Sequence, residues 1–334
     1  MQKIKISGSL ASLKFLLFKY KKVLVVYDRK MEALADQISQ ENKRLAIAAD
    51  ERHKTMDTVM TVCRWLLSNK ADKETLLLAV GGGVTTDIAG FAASIYKRGI
   101  RYANVPTTLL AMVDASIGGK TGVNLDSYKN MLGTVCQPQF TFIYPKVLET
   151  LPEREIRNGA AEMLKTFIIK NRHNNYADAL ALLKPPVDFK ALEPFIEAAA
   201  KVKRDIVYLD EFEKGPRRVL NLGHTYAHAI EWWQQTKADE NVVPATALSH
   251  GEAVAIGIVK AAELSADRGF CDESLPQQLK TDLESVGLPT GLPCPEEELA
   301  PALLQDKKIS GKKINFVFIK RIGKVKVKKH EFNF

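Results

Sequence analysis

Thr75-Leu-Leu-Leu-Ala-Val80 runs directly into Gly81-Gly-Gly-Val-Thr-Thr-Asp87, and how that junction is read decides the fold. A short uncharged run, mostly aliphatic, suits a strand buried on both faces, as in a parallel sheet covered by helices. Three glycines then let backbone approach a ligand closely, and the free N–H groups and dipole at the start of the next helix, which carries Phe91 and Ile95, favour a pyrophosphate. The pattern is not the G-x-G-x-x-G fingerprint of dinucleotide sites. A tight strand-to-helix turn is the plainer alternative.

Upstream, Lys3-Ile-Lys-Ile6 alternates like an edge strand, while Val23-Leu-Val-Val-Tyr27 and Arg44 to Ala48 read as further strands. Helical spacing separates Ile6 from Val23 and recurs from Lys30 to Gln40. It returns from Thr55 to Ser68, where Val59, Val62, Cys63 and Leu66 share a side. Phe140 to Tyr144 reads as the last strand. This alternation predicts an α/β nucleotide-binding domain with a parallel sheet over residues 1–148. Asp114-Ala-Ser-Ile-Gly-Gly-Lys-Thr-Gly-Val-Asn124 is too glycine-rich for a helix and is expected as a hairpin or bent loop presenting Lys120, with Lys129 and Asn130 beside it.

Thr150-Leu-Pro-Glu153 reads as a helix start, with Thr150 capping and Pro152 in the first turn. From there to about residue 305 the spacing is almost wholly helical, broken by Pro185-Pro186 and by a polar stretch from Gln234 to Leu248 expected as a surface loop. An all-α second domain over 149–334 follows. It closes on a short hairpin of Ile314–Ile319 and Lys324–Lys328, joined through Gly323.

The 334 residues, 46% hydrophobic and 26% charged, suffice for two globular domains. No apolar run approaches the roughly 18 residues needed to cross a bilayer. Phe15-Leu-Leu-Phe18 is too short for a signal-peptide core, so the expectation is a cytoplasmic protein with no membrane partner. Four cysteines, Cys63, Cys136, Cys271 and Cys294, form no C-x-x-C pair, which argues against a thiolate zinc site and a disulfide framework. The net charge of +9 has no RNA-type aromatic motif or DNA-reading helix beside it. An anionic small molecule is therefore a better partner than nucleic acid, with a solvated face the plain reading for most lysines.

Of six histidines, three fall close together: His224, His228 and His250. In a helix after Gly223, His224 and His228 stand one turn apart on one face. Ordinary half-buried histidines are the alternative. Glu162 and Lys165 are likewise three apart, amid apolar neighbours that favour a buried or cleft position over a surface ion pair. Two histidines and a carboxylate are a usual ligand set for catalytic zinc. Glu162, His224 and His250 can supply it, with His228 left as an acid/base group. A phosphate turn in one domain and a metal in the other point to metal-assisted, nicotinamide-linked alcohol oxidation in a cleft between them.

Taken together, Gly81-Gly-Gly-Val-x-x-Asp87, Pro106-Thr-Thr-Leu-Leu110, Asp114 through Gly119-Lys120-Thr121-Gly122 and Lys129-Asn130 go further. So do Leu151-Pro-Glu-Arg-Glu155, Ala161-Glu162-x-x-Lys165, Asn221-Leu-Gly-His224-Thr-x-x-His228-Ala-Ile-Glu231, His250-Gly-Glu-Ala-Val254 and Asp306-Lys-Lys308. In order and number the set strongly resembles the 3-dehydroquinate synthase family. The resemblance implies an N-terminal NAD-binding α/β domain, a helical C-terminal domain, and a homodimer. It implies Glu162, His224 and His250 as ligands of Zn2+, with Co2+ as the other candidate. Glu51, Lys54, Gly83, Val84, Asp87, Thr107, Thr108, Lys129 and Thr150 match its NAD contacts, joined by Asp114 and Lys120. Asp114, Lys120, Asn130, Lys165, Lys203, Arg217, Asn221, His228 and Lys307 of the Lys307-Lys308 pair match positions that hold substrate. Arg98 matches a residue reaching the phosphate from the partner subunit.

The implied reaction converts 3-deoxy-D-arabino-heptulosonate 7-phosphate, a phosphorylated keto acid, into 3-dehydroquinate and phosphate. It runs through oxidation by NAD, phosphate elimination, reduction, ring opening and aldol closure, so NAD is restored in each turnover. Thr85-Thr86 departs from the family pattern and resembles related cyclases that take sedoheptulose 7-phosphate, and the loop from Gln234 to Ser249 is longer than usual. Lys203, Asn221 and Lys307 keep the types suited to a substrate carboxylate. A metal-dependent polyol dehydrogenase is the other enzyme reading.

Overall fold

The structure, a computed structural model, describes residues 2–39, 43–126, 128–239, 247–310 and 313–331, with backbone only for 238–239 and 304–310. The chain divides into two compact units, Met1–Pro152 with Lys203–Glu211, and Glu153–Val202 with Phe212–Phe334. The units part after Pro152, against an expected division after residue 148, and the segment from Lys203 groups with the first.

The first unit contains β1 (Lys3–Ile6), α1 (Ala11–Leu17), β2 (Val23–Asp28), α2 (Glu32–Ile38), β3 (Arg44–Ile47), α3 (Met56–Ser68), β4 (Leu76–Gly81) and α4 (Gly83–Ile95). There follow β5 (Arg101–Pro106), β6 (Lys120–Leu125), β7 (Tyr128–Val135) and β8 (Phe140–Ile143). Six strands form one parallel sheet in the order β1-β8-β5-β4-β2-β3. Every residue of β4 is buried. Leu77 and Ala79 join a core with Val59, Val62 and Leu66 of α3 and Ile88 of α4, whereas Leu76, Leu78 and Val80 face Leu13 of α1 and Leu34 and Ile38 of α2. That two-sided burial is why the run lacks polar alternation. The chain winds outward from β2 to β3, then returns to β4 and proceeds the other way to β5. The carboxyl end of β4, Gly81, thus lies at the switch point where open α/β sheets bind ligands.

β5 carries no strand signal in the sequence, because Arg101, Asn104 and Pro106 interrupt its apolar residues. Its position inside the sheet is made tolerable by Asn104 Nδ2, which donates to Ser116 O at 3.2 Å. The stretch expected as a hairpin is one in part: β6 and β7 pair antiparallel, but Asp114 sits upstream in a π-helical turn, Ala111–Ala115. The expectation for Thr150 is corrected. It ends a 3-10 turn, Pro145–Thr150, and its hydroxyl donates to Val147 O at 3.1 Å. Leu151, extended as the residue before a proline must be, keeps Thr150 from capping the helix that starts at Glu153.

The second unit holds α5 (Glu153–Ile169), α6 (Asn175–Leu183), most of α7 (Phe189–Leu209), α8 (His224–Asp239), α9 (His250–Asp267), α10 (Leu275–Ser285) and α11 (Glu296–Ser310). An antiparallel hairpin of β9 (Ile314–Arg321) and β10 (Lys324–His330) closes it. Helix α8 continues to Asp239, so residues 234–239 of the expected loop are helical; residues 240–246 of that stretch lie outside the described residues. From Ile156 almost every residue of α5 is buried, as is the first half of α9. Among the described residues no helix is long and apolar enough to cross a membrane.

Candidate active site

Three helices of the second unit bring together residues far apart in sequence. Gly223, at φ +77°, turns the chain into α8, so that His224 is its first residue, and His250 is the first residue of α9. The two helices approach closely: a Cβ built on Gly257 would lie 2.0 Å from Gly223 O. Both histidines face Glu162 in the middle of α5. Nε2 of His224 and of His250 lie 3.7 and 3.4 Å from Glu162 Oε1, and one donor atom from each residue falls within 4.8 Å of the other two. His228, one turn along α8 and more exposed, places its ring 5.3 Å from that of His224.

Glu162 is wholly buried, and neither carboxylate oxygen has a hydrogen-bond donor. Lys165 Nζ stands 2.5 Å from Oε2, a charge contact outside hydrogen-bonding angles, and donates to Leu220 O at 2.8 Å. Burial works to raise the Glu162 pKa, but the Lys165 ammonium and then His250 outweigh it and hold the carboxyl below its ordinary value. Burial, Lys165 and the other two imidazoles hold His224 well below 6.5, so it is neutral, as a metal ligand must be. Burial also opposes a charge on His250, yet Glu162 and Glu231 overcome it and raise its pKa. A cation bound there would take the place of the proton that these two carboxylates favour on the ring. The far nitrogens are engaged too, His224 Nδ1 by Leu222 O at 3.1 Å and His250 Nδ1 by Glu231 Oε1 at 3.3 Å, which orients both rings. An orphaned buried carboxylate with two oriented imidazoles fits a zinc-type cation.

In the first unit the sequence-predicted cofactor residues form a second cluster. Lys54, buried, places Nζ 2.6 Å from Asp87 Oδ2 and donates to Asn130 Oδ1 at 2.6 Å. Asn130 N donates to Asn124 Oδ1 (2.9 Å), and Asn124 Nδ2 donates to Glu51 Oε1 (2.8 Å). Lys203 Nζ donates to Asp114 at both Oδ1 (2.6 Å) and the main-chain oxygen (2.8 Å). Burial raises Asp87 to about 6 against the pull of Lys54 and Lys203, with Glu51 adding repulsion. Beside this cluster, α4 starts at Gly83 with no side-chain cap. A Cβ on Gly82 would stand 3.1 Å from Thr108 Cγ2, and one on Gly83 3.2 Å from Ala115 Cβ. The helix start thus has no side-chain cap and little room for a residue larger than glycine, which fits a dinucleotide phosphate approaching the backbone closely.

Family models described as 3-dehydroquinate synthase N-terminal and 3-dehydroquinate synthase C-terminal match residues 44–158 and 159–309. The chain belongs to the 3-dehydroquinate synthase family. A 3-dehydroquinate synthase of Dictyoglomus thermophilum is 40% identical over 305 residues, 90% of this chain and 82% of the relative. One from Acidithiobacillus ferrooxidans is 38% identical over 307 residues, 90% and 81% of the two chains. Among solved structures, 2-epi-5-epi-valiolone synthase of Streptomyces hygroscopicus subsp. jinggangensis 5008, with NAD+ and Zn2+ bound, superposes with a TM-score of 0.84 at 28% identity, over 99% of this chain and 93% of that one. A 2-deoxy-scyllo-inosose synthase complexed with carbaglucose-6-phosphate, NAD+ and Co2+ gives 0.85 at 24% identity, over 98% and 93%, which speaks for the fold.

Other positions that the 3-dehydroquinate synthase resemblance marks have contacts of their own. Thr150 bonds within its own turn. The Val84 side chain packs against the sheet core, leaving its backbone as what it can offer a ligand. Thr107 is buried, its N–H donating to Gly81 O at 3.0 Å, and Thr108 Oγ1 accepts from Ala111 N at 3.1 Å. Lys120 and Lys129 are exposed on β6 and β7, and Arg98 is exposed at φ +61°. In the second unit Arg217 is buried, and Asn221 Nδ2 donates to Glu213 Oε1 at 2.5 Å. The Lys307 side chain lies outside the described residues. Glu231 and Asn124 were missed as site residues. Glu231 was legible, because it falls two turns after His224 on the histidine face of α8; the carbonyls of Leu220 and Leu222 leave no signal in side-chain types.

Proposed function

We propose that this chain converts 3-deoxy-D-arabino-heptulosonate 7-phosphate into 3-dehydroquinate and phosphate, with NAD held by the first unit and Zn2+ by Glu162, His224 and His250. The observation that carries this reading is the buried Glu162 carboxylate, without hydrogen-bond donors and faced by two imidazoles, in a chain about 40% identical to 3-dehydroquinate synthases over 90% of its length. When bound, zinc supplies a Lewis acid for substrate hydroxyls and NAD a reversible acceptor of hydride.

The protein's own residues do the rest by position and charge. Lys165 keeps Glu162 ionised, and Glu231 and Leu222 O hold the rings that face it. His228, beside His224 and open on one side, is placed to take or return a proton at its ring nitrogen. Arg217 and Lys203, both buried, suit the substrate's carboxylate and phosphate, as do Asn221, Asn130, Lys120 and Lys307. Asp87, Lys54 and Glu51 offer charged partners to NAD hydroxyls, alongside Thr107, Thr108, Lys129 and Thr150, and the glycine turn takes its phosphates. Homodimer assembly, with Arg98 reaching the partner's substrate phosphate, and residence in the cytoplasm complete the reading. The outward setting of Arg98 supports the first.

Phosphate release from the heptulosonate phosphate is expected to need catalytic NAD and to stop with a chelator. Turnover with sedoheptulose 7-phosphate alone would move the chain to the neighbouring cyclases. Stoichiometric build-up of NADH would make it a polyol dehydrogenase.

A further inference from the structure

Two motifs that carry the family resemblance contain residues to which the site assigns nothing: Arg154 in Leu151-Pro-Glu-Arg-Glu155, and Glu252 in His250-Gly-Glu-Ala-Val254. They meet, 98 residues apart. Arg154, in the first turn of α5, lays its guanidinium side-on against Glu252, Nε to Oε1 at 3.2 Å and Nη2 to Oε2 at 2.8 Å. The same Nη2 donates to Ala247 O at 2.5 Å. Glu252 in turn closes a capping box at the start of α9: it accepts from Ser249 N at 2.6 Å, while its own N–H donates to Ser249 Oγ at 3.4 Å. One turn along α5, Asn158 Oδ1 accepts from Gly251 N at 2.6 Å. A Cβ on Gly251 would lie 2.1 Å from Asn158 O, so α9 is pressed onto α5 at that residue.

The neighbours of His250 at 249, 251 and 252 are therefore all tied, directly or through Glu252, to α5. Arg154, Asn158 and Glu162 follow one another at intervals of four and share one face of that helix. A single helix thus presents the metal-facing carboxylate and the two groups that fix where the opposing imidazole starts. The Arg154 side chain is half exposed, so its ion pair adds little to stability. What a two-point guanidinium–carboxylate fork does set is direction.

We propose that Arg154, Asn158 and Glu252 are positioning residues for His250, holding the first turn of α9 on α5 so that His250 Nε2 is presented to the metal beside Glu162. The inference rests on the reading of Glu162, His224 and His250 as metal ligands. Its test is cobalt(II) binding to the full chain, read as a dissociation constant and as the d–d absorption spectrum, with thermal melting of the chelator-treated protein measured alongside. Arg154→Met and Asn158→Ala are expected to weaken cobalt binding by about 10–100-fold and to shift the d–d bands. Arg154→Lys and Asn158→Asp, which keep the charge or the acceptor, are expected to recover part of the affinity. Variants that melt earlier without metal yet bind cobalt with the parental constant and spectrum would reduce these residues to helix capping and overturn the proposal. Should Arg154→Met not fold, Arg154→Lys carries the test, since it keeps a charge without the fork; parental affinity and spectrum there overturn the proposal equally. A parent that binds no cobalt, or a His250→Ala variant that binds it undiminished, would instead overturn the ligand reading on which this one rests.

Discussion

Glu162 and Lys165 occupy a place where each is costly alone. Both are essentially fully buried, and removing one member of such a pair leaves an uncompensated charge. Glu162→Gln is expected to abolish zinc retention, measured by metal analysis after gel filtration, and to lower the stability of the metal-free protein by about 3–5 kcal/mol in urea unfolding. Asp87 carries a pH prediction. Burial raises its folded pKa to about 6 from an ordinary 3.8, so between those values the folded state holds more protons than the unfolded one. Stability from this group therefore falls as pH rises towards 6 and is level beyond. A ligand whose hydroxyls donate to the ionised carboxylate reverses that preference. NAD affinity, by titration calorimetry, should rise with pH through about 6, and Asp87→Asn should flatten the profile.

Helices α8 and α9 owe their contact to Gly223 and Gly257, and both begin at a histidine of the site. Gly257→Ala would drive a methyl group into Gly223 O. It is expected to cost about 1–3 kcal/mol as an overpacked contact, read by thermal melting, and to weaken zinc binding because His224 directly follows Gly223. The helices and most strands were legible because apolar period and glycine placement are local properties. Strand β5 was not, since the Nδ2 of its polar Asn104 donates to Ser116 O, a partner outside the strand. Nor was the end of α8, whose polar residues from Gln234 read as a loop although they form the outer turns of a helix.

The chain as a whole distributes its proposed ligands by unit: Glu162, His224 and His250 belong to the second, and Lys54, Asp87 and the glycine turn to the first. Hydrogen exchange should accordingly slow around α5, α8 and α9 on adding zinc, and around β4, α4 and the β6–β7 hairpin on adding NAD. Zinc at a free concentration 100 times its dissociation constant should stabilise the native state by about 2.7 kcal/mol. Chelation should remove that gain, measured by the melting temperature before and after. Equal protection of both regions by either ligand would contradict the assignment.

The types and spacing of the donors, and the parallel α/β sheet that ends in a glycine turn, follow from the order of residues alone. Helical period, buried strands and motif spacing are set within a few residues of each position. Tertiary contact decided what no local pattern can encode. It buried the carboxylate of Glu162 and gave His224 and His250 each a partner for its far nitrogen. It also joined Arg154 to Glu252 across 98 residues and left Thr150 bonded to its own turn. Those outcomes depend on which surfaces exclude solvent from one another, and that is a property of the packed chain.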